Sequence, residues 1–480
     1  MRRFLAFPFL LAILAGPGAG RWFGASPPTR VVIMHTNDIH GQLLPRGGIG
    51  GIAEIATIIR SAKPDLILDA GDISTGTFLA DEFKGAPTIA AMNKIGYTAG
   101  TIGNHEFDYG QDALRLRLRE AKFPVLSANL QTPVSEIKKY TIVTARGIRF
   151  ALIGLTTEDV KTKSHPNKVG GVTVFETVKT IEQLLPQIRP RSDFVIAMVH
   201  LEDEEEKRIA SAFPEIRLII GGHNHDALGP IWLDKTLVAK TGSSGQNVGR
   251  VDLQFENKKL SNMEAKLIPV SHVPPDPGVV KILEPFNEKV KVQMDQIIGE
   301  ATNDLVKSQT TESALADLVA DAFRERGRTQ IAMHNTGGIR AKIAKGKITW
   351  GNAFEVLPFQ NTLVTLKLTG AQLKKTVERG LVATVGMVAL SGLRVEFDRT
   401  KPPGQQVVSA VLMDGTAVDD SILYSLTTND FVVAGGDGFT ELAKGADIVD
   451  TGIFLRDVFV DYIKARRVLS PMMDGRITLN

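Results

Sequence analysis

Short apolar runs separated by amphipathic stretches of helical length set the rhythm of the first half of this chain. The runs occupy residues 31–34, 66–68, 125–126, 150–155, 194–199 and 218–220. Between them, residues 52–62, 111–122 and 178–188 repeat apolar side chains at three- and four-residue spacing, which predicts helices. Strand–helix–strand alternation of this kind predicts an α/β fold, a layered β-sheet domain with flanking helices. Residues 231–273 read as strands joined by Gly and Asn turns and close this first unit.

The texture changes at Pro274, Pro275 and Pro277, which lead into a long helical pattern with Val280, Leu283, Phe286, Val290, Met294 and Ile298 on one face. Beyond it the chain carries its own helices, at 313–326 and at 371–381 with Thr369 as N-cap, and its own strands at 331–333, 363–368, 393–397 and 423–428. The pattern therefore predicts a first domain over 28–273, a helical linker or hinge over 274–299, and a second α/β domain over 300–480. No internal repeat is visible.

Composition narrows the class. The 480 residues include 43% apolar and 23% charged side chains, which excludes disorder and a polytopic membrane protein. Lys and Arg number 56 against 53 Asp and Glu, and the excess lies in Arg2, Arg3 and Arg21, so no basic domain for a nucleic-acid polymer is expected. Arg2 and Arg3, an apolar run over 4–15 and small residues around 16–20 have the order of a secretory signal, ending after Gly20 or Ala25. The expectation is an exported protein, periplasmic or secreted, with no membrane anchor after signal removal. Cysteine is absent, which removes disulfides, thiol nucleophiles and Cys-ligated zinc. Nothing in the sequence reads out an oligomeric state.

The chemistry gathers at strand ends. Residues 31–34 are followed by His35-Thr-Asn-Asp38-Ile-His40-Gly, residues 66–68 by Asp69-Ala-Gly-Asp72, and Thr101-Ile-Gly by Asn104-His105-Glu-Phe-Asp108. The run 194–199 leads to His200, and 218–220 to Gly-Gly-His223-Asn-His225. In an open α/β sheet the carboxyl ends of strands share one edge, so these residues converge on one crevice. Asp, His and Asn together suit Zn, Mn, Co or Fe, and one carboxylate is able to bridge two ions. A set of buried hydrogen-bonding residues is the competing reading.

The order Asp-x-His, Gly-Asp, Gly-Asn-His-Glu, His, Gly-His-x-His resembles the calcineurin-like metallophosphoesterases. The opening motif from His35 and the second half narrow the resemblance to the 5′-nucleotidase family, over about residues 30–475. That family includes periplasmic nucleotidases, UDP-sugar hydrolases and cyclic-nucleotide phosphodiesterases. The resemblance implies two divalent metal ions, one held by Asp38, His40, Asp72 and His225, the other by Asp72, Asn104, His200 and His223. It further implies His105 and Asp108 as the catalytic pair, and in-line attack on phosphorus by a metal-bridging hydroxide.

In the second half, His334-Asn335-Thr-Gly337-Gly338-Ile-Arg340, Pro358-Phe359-Gln-Asn361 and Asn429-Asp430-Phe431 through Gly435-Gly-Asp437 match the family's nucleotide-binding domain in order. By that resemblance Phe359 and Phe431 sandwich the base, Asp437 accepts from the ribose hydroxyls, Arg340 forks onto phosphate, and Asn335 touches the base or the phosphate–ribose region. Taken alone, the same segments are two glycine turns and a proline-ended strand, and either Phe is as readily a core residue. Three positions depart from the family pattern. Lys307 is the only basic residue where members carry an extra arginine, Gln360 replaces a glycine, and Thr336 replaces a small residue. The expected function is an exported 5′-nucleotidase-type phosphohydrolase. The alternatives are a 2′,3′-cyclic phosphodiesterase with 3′-nucleotidase activity, a UDP-sugar hydrolase, a thiosulfohydrolase of the same family, and a non-catalytic nucleotide-binding protein.

Overall fold

The structure is a computed structural model, and it describes residues 28–164, 166–227, 229–308, 310–382, 387–470 and 473–479. The signal-like segment, His165 and Gln309 lie outside these residues. Among the described residues no helix is long and apolar enough to cross a membrane.

The first half builds two six-stranded sheets rather than one open sheet. In the first, Thr29–Thr36, Leu66–Asp69, Ala99–Thr101 and Val125–Leu126 run parallel, and Asn247–Glu256 and Lys259–Pro269 extend it antiparallel. In the second, Ile148–Thr156, Phe194–His200, Leu218–Gly222 and Thr236–Ala239 run parallel. Ile33, Leu68, Leu253 and Phe255 face Phe150, Ile196, Met198 and Ile220 in a shared core, so the sheets pack face to face. Their outer faces are covered by helices, Ile52–Ala62 and Ala86–Ile95 on one side, Thr177–Ile188 and Asp203–Ala212 on the other.

Local sequence explains the punctuation. Asn257 and Lys258, both at positive φ, make the two-residue turn between Asn247–Glu256 and Lys259–Pro269. Glu176 accepts the Lys179 N–H at 2.7 Å and starts the helix Thr177–Ile188.

The linker pattern forms the helix Pro277–Met294, with Asp276 accepting the Val279 N–H at 2.9 Å and Pro277 in its first turn. The buried face differs from the expected one. Val279, Leu283 and Val290 are buried while Val280 is exposed, and Ile298 belongs to the strand Ile297–Ala301. Asp276 also pairs with Arg60, which fixes the start of this helix against the first sheet's helical layer.

Among the described residues no strand from Ile297 onward joins either of those sheets. The second half centres on a five-stranded sheet ordered Val388–Ser391, Ile331–Asn335, Leu423–Asn429, Thr362–Thr369 and Ala446–Phe454. Ile331–Asn335 and Leu423–Asn429 are parallel neighbours, so the segments that follow Asn335 and Asn429 emerge side by side. The helix Gly370–Val382 starts at Thr369, whose Oγ1 accepts the Gln372 N–H at 3.3 Å. The halves meet where Phe78 packs edge-on against Trp350 at 4.6 Å and against Phe354 at 4.9 Å, and where Arg46 pairs with Glu355 at 2.8 Å.

Candidate metal centre and active site

The carboxyl ends of both sheets in the first half meet at one place. Asp38, Asp72 and Asn104 follow strands of the first sheet; His200 ends a strand of the second, and His223 and His225 follow the next. Two groups result. Asp38, His40 and His225 offer donor atoms within 4.8 Å of one another, and so do Asp72, His200 and His223. Asp72 Oδ2 lies 3.0 Å from His200 Nε2 and 3.8 Å from His40 Nε2, so this one carboxylate touches both groups. The second-half residues lie on the facing wall of the same cleft, not in this cluster.

The backbone is bent to aim these side chains. Asp38, His40, Asp72, His223 and His225 all have positive φ, between 47° and 89°. Residues with a Cβ adopt that region at a cost, and such strain concentrates at functional sites. Close approach by glycine completes the cradle. A Cβ on Gly103 would stand 2.2 Å from Asp72 Oδ1, and one on Gly222 would stand 2.7 Å from Asp38 Oδ2.

Two of the imidazoles are held by their other nitrogen. His200 Nδ1 lies 2.8 Å from the Ala70 carbonyl and His40 Nδ1 lies 3.1 Å from that of Thr75, which turns both Nε2 atoms inward. His40 Nε2 and His225 Nε2 approach to 3.0 Å. Burial and mutual repulsion push the His40 pKa well down, and burial with the Arg340 charge takes His225 to about 3. Burial also opposes a charge on His200, but Asp72 and Asp38 outweigh it and raise its pKa to about 10. Asn104 Oδ1 is buried with no hydrogen-bond partner. Inward-facing imidazoles, two carboxylates and an orphaned amide oxygen are the donor set of a divalent metal centre.

His105 stands beside this cluster. Its Nδ1 lies 2.7 Å from Asp108 Oδ2, and its backbone N–H donates to Asp72 Oδ1 at 2.9 Å. Burial disfavours its charge, yet Asp108 and Asp72 together raise its pKa.

The cleft between the halves is a 630 Å³ cavity lined by Asp72, Asn104, His105, Asp108, His223 and His225 on one side. On the other are Asn335, Gly337, Gly338, Arg340, Phe359, Phe431 and Asp437, with Lys307 and Gln360 also at the wall. Arg340 Nη1 donates to the Gly337 carbonyl at 3.4 Å, and its guanidinium lies 5.7 Å from the Phe359 ring centre. Gly338 makes room for His334, whose Nε2 would lie 2.7 Å from a Cβ there. Phe431 packs in the core of the second half and rests on Gly436, where a Cβ would meet its ring at 2.4 Å. Phe359 is partly exposed, and its ring neighbour is His105.

Several residues beyond the predicted set hold the site together. Glu106 is buried and accepts the backbone N–H groups of Asp72, Ile73 and Gly103 at 3.0, 2.8 and 2.6 Å. Asn37 donates to Asp38 Oδ2 at 2.6 Å and accepts from Thr241. Asn429 donates to Asn335 Oδ1 at 3.0 Å, and Asn335 donates to Asp437 Oδ2 at 2.7 Å. Asn335 thus directly orients Asp437. The signal for all three was present, since each sits inside a motif already singled out. His35 opens the first motif, yet it is a core side chain wedged against Gly249.

With this geometry in place, comparison with known proteins is decisive. Residues 31–227 match the calcineurin-like phosphoesterase family and residues 294–444 match the 5′-nucleotidase C-terminal domain. The solved 5′-nucleotidase precursor from Thermus thermophilus is 30% identical, with a TM-score of 0.86 over 94% of this chain and 99% of that one. The chain belongs to the 5′-nucleotidase family. The 5′-nucleotidase of Vibrio cholerae is 28% identical over 95% of this chain and 94% of that protein. The trifunctional nucleotide phosphoesterase YfkN of Bacillus subtilis is 29% identical over 93% of this chain, which spans only 35% of that longer protein. This 5′-nucleotidase-family protein is a metal-dependent nucleotide phosphohydrolase, and its calcineurin-like half implies divalent metal ions.

Proposed function

We propose that the chain removes phosphate from nucleoside 5′-monophosphates at a centre of two divalent ions. Asp38, His40, Asp72 and His225 would hold one ion, and Asp72, Asn104, His200 and His223 the other. The observation that carries the reading is the single cleft that has this donor set on one wall and Arg340, Phe359, Phe431 and the Asn335–Asp437 pair on the other. When bound, the ions supply Lewis-acid polarisation of the phosphoryl group and lower the pKa of a water. Zn, Mn, Co and Fe all accept these ligands.

The chain's own groups divide the remaining work. Arg340 faces the phosphate and offers two parallel N–H donors. His105, whose protonated form Asp108 and Asp72 favour, donates to a phosphoryl oxygen or to the leaving ribose oxygen. Phe359 and Phe431 offer faces for a base, and Asp437, held by Asn335, accepts from the ribose hydroxyls. Retention of both rings and of Asp437 favours a nucleotide over a thiosulfate-type substrate. The intact His105–Asp108 pair favours an enzyme over a binding protein. The tripartite order of the first 25 residues supports export, and the N-terminal sequence of the mature protein tests it.

The deciding experiment is hydrolysis of 5′-AMP, 3′-AMP, 2′,3′-cyclic AMP and UDP-glucose, followed by chromatographic separation of nucleoside and nucleotide products, with chelator and with Mn²⁺ or Zn²⁺ restored. Metal-restored hydrolysis with 5′-AMP ranked first is expected. A higher rank for the cyclic nucleotide or UDP-glucose would reassign the substrate within the same centre, and no turnover of any of the four would remove the nucleotide reading.

A further inference from the structure

The second half holds a group of carboxylates that the hydrolytic cleft does not use. Glu312 precedes the helix Ala314–Gly327, Asp317 lies in its first turn, and Asp474 leads into the last strand, Ile477–Leu479. One carboxylate oxygen from each lies within 4.8 Å of the others.

These acids are unequally satisfied. Glu312 accepts the N–H groups of Gly475 and Ile477 at 3.1 and 3.0 Å. Asp474 Oδ1 accepts from Arg476 Nε at 2.8 Å. The other two guanidinium nitrogens of Arg476 go to Asp321, at 2.8 and 3.0 Å, and reach only the main-chain oxygen of Asp317, at 3.3 Å. Asp317 itself is 3% exposed, and its Oδ2 is buried without any hydrogen-bond partner. A buried carboxylate oxygen set among other carboxylates and given no donor must take up either a proton or a cation.

Charge and chemistry favour a cation. Glu312, Asp317, Asp474 and Asp321 with the one guanidinium of Arg476 leave a net negative charge of three, two units of which a dication cancels. All the side-chain donors are oxygens, the preference of hard ions. The flexible six- to eight-fold shell of calcium, filled by carbonyls and water, fits a site with one buried and one exposed carboxylate better than the strict octahedron of magnesium.

We propose that Glu312, Asp317 and Asp474 form a calcium-class cation site, separate from the hydrolytic centre, that ties the start of the helix Ala314–Gly327 to the C-terminal segment. That segment carries the strand Ile477–Leu479, which pairs in parallel with Leu393–Phe397, so the ion closes the edge of the second half. In its absence burial pushes the Asp317 carboxyl up to about 8, and the site holds a proton instead.

The test uses the full protein with its hydrolytic centre already filled with Mn²⁺. Equilibrium dialysis against ⁴⁵Ca²⁺ should find one further ion per chain. Calcium at a hundredfold excess over its Kd should raise the Tm by about 3 °C. Asp317→Asn should lose both effects while its manganese content and nucleotide hydrolysis stay at the wild-type level. Asp474→Asn, at an exposed position that does not threaten folding, should weaken calcium binding more than tenfold. Absence of calcium uptake by the manganese-loaded wild type, or uptake unchanged in Asp474→Asn, would overturn the proposal and leave a proton shared by Asp317 and Glu312.

Discussion

The rings of His105 and Phe359 lie nearly parallel across the boundary between the two halves, 5.6 Å apart with 10° between their planes. A group of the proposed chemistry therefore touches a group of the proposed base site without substrate between them. Phe359 has a second neighbour in the Arg340 guanidinium, so one ring joins the acid, the phosphate binder and the base platform.

If Phe359 serves mainly as a stacking surface, Phe359→Leu should raise KM for AMP, GMP and UMP alike and leave kcat close to wild type. Loss of a base–aromatic stack costs about 1–3 kcal/mol and depends little on which base is stacked. Steady-state kinetics with the three nucleotides make the check. A fall in kcat at unchanged KM would assign the ring to positioning His105 instead.

His105→Ala should lower kcat by about 10²–10⁴, the range for loss of a general acid–base group. Its ring is aimed at Asp108 and the cleft, so the bound metal should be unaffected. Elemental analysis of the purified variant beside its turnover number decides this. Loss of metal together with activity would move His105 into the ligand set.

Glu106 is expected to act on the centre from behind. Its carboxylate collects three buried backbone N–H groups, two of them on Asp72 and on Gly103, which packs against Asp72. Glu106→Ala orphans all three, each at about 1–3 kcal/mol, and frees the turn that carries the shared carboxylate. A marked drop in Tm and a 10–100-fold loss of metal affinity should appear together, the latter being the usual consequence of losing a ligand's support. Metal titration at a temperature well below the variant's Tm separates the two effects.

This division of labour explains what could be read from the sequence. The convergence of Asp38, His40, Asp72, Asn104, His200, His223 and His225 was legible because each lies at or just beyond the carboxyl end of a parallel strand, and such ends share one edge. Glu106 and Asn37 sit inside the same motifs, but their roles were not legible, because Glu106 holds backbone N–H groups that carry no side-chain signature and Asn37 joins Asp38 to Thr241, 204 positions away. The division into two facing sheets was equally hidden, since the runs around Ile33 and Ile196 are apolar whichever sheet they join. The helix Asp203–Ala212 escaped notice because only Glu206, Ile209 and Ala210 of its ten residues are buried. In the linker helix, Val279 and Val280 differ by one position and about 100° of arc, and neighbouring valines do not tell which one faces inward.

Lys307 gives the pH dependence a definite sign. Burial, with repulsion from Arg340, brings its ammonium down to about 8, and its Nζ donates to the Ile339 carbonyl at 3.1 Å on the cleft wall. Below that value Lys307 is cationic and attracts a phosphate dianion. As pH rises through about 8 the proton is lost, and KM for a 5′-monophosphate should climb. Lys307→Arg, whose guanidinium stays charged, should flatten the profile, and Lys307→Met should show the high KM throughout. Initial rates over about three pH units centred on 8 test it. Parallel profiles in all three proteins would show that the substrate does not meet this side chain.

The contacts between the halves lead to the remaining prediction. Phe78 against Trp350 and Phe354, and Arg46 against Glu355, hold the cleft in the arrangement described. Catalysis requires both walls to meet the same nucleotide, while exchange of substrate and product requires them to part, and the helix Pro277–Met294 lies at the junction between the halves. Because the chain has no cysteine, Arg46→Cys with Glu355→Cys supplies the only two thiols. The lost ion pair spans two long side chains, so a short bis-maleimide suits the gap better than a direct disulfide. The cross-linked protein should keep its full metal content and lose steady-state turnover, while the same double variant left uncoupled should remain active. Full turnover in the tethered protein would mean that the halves need not move.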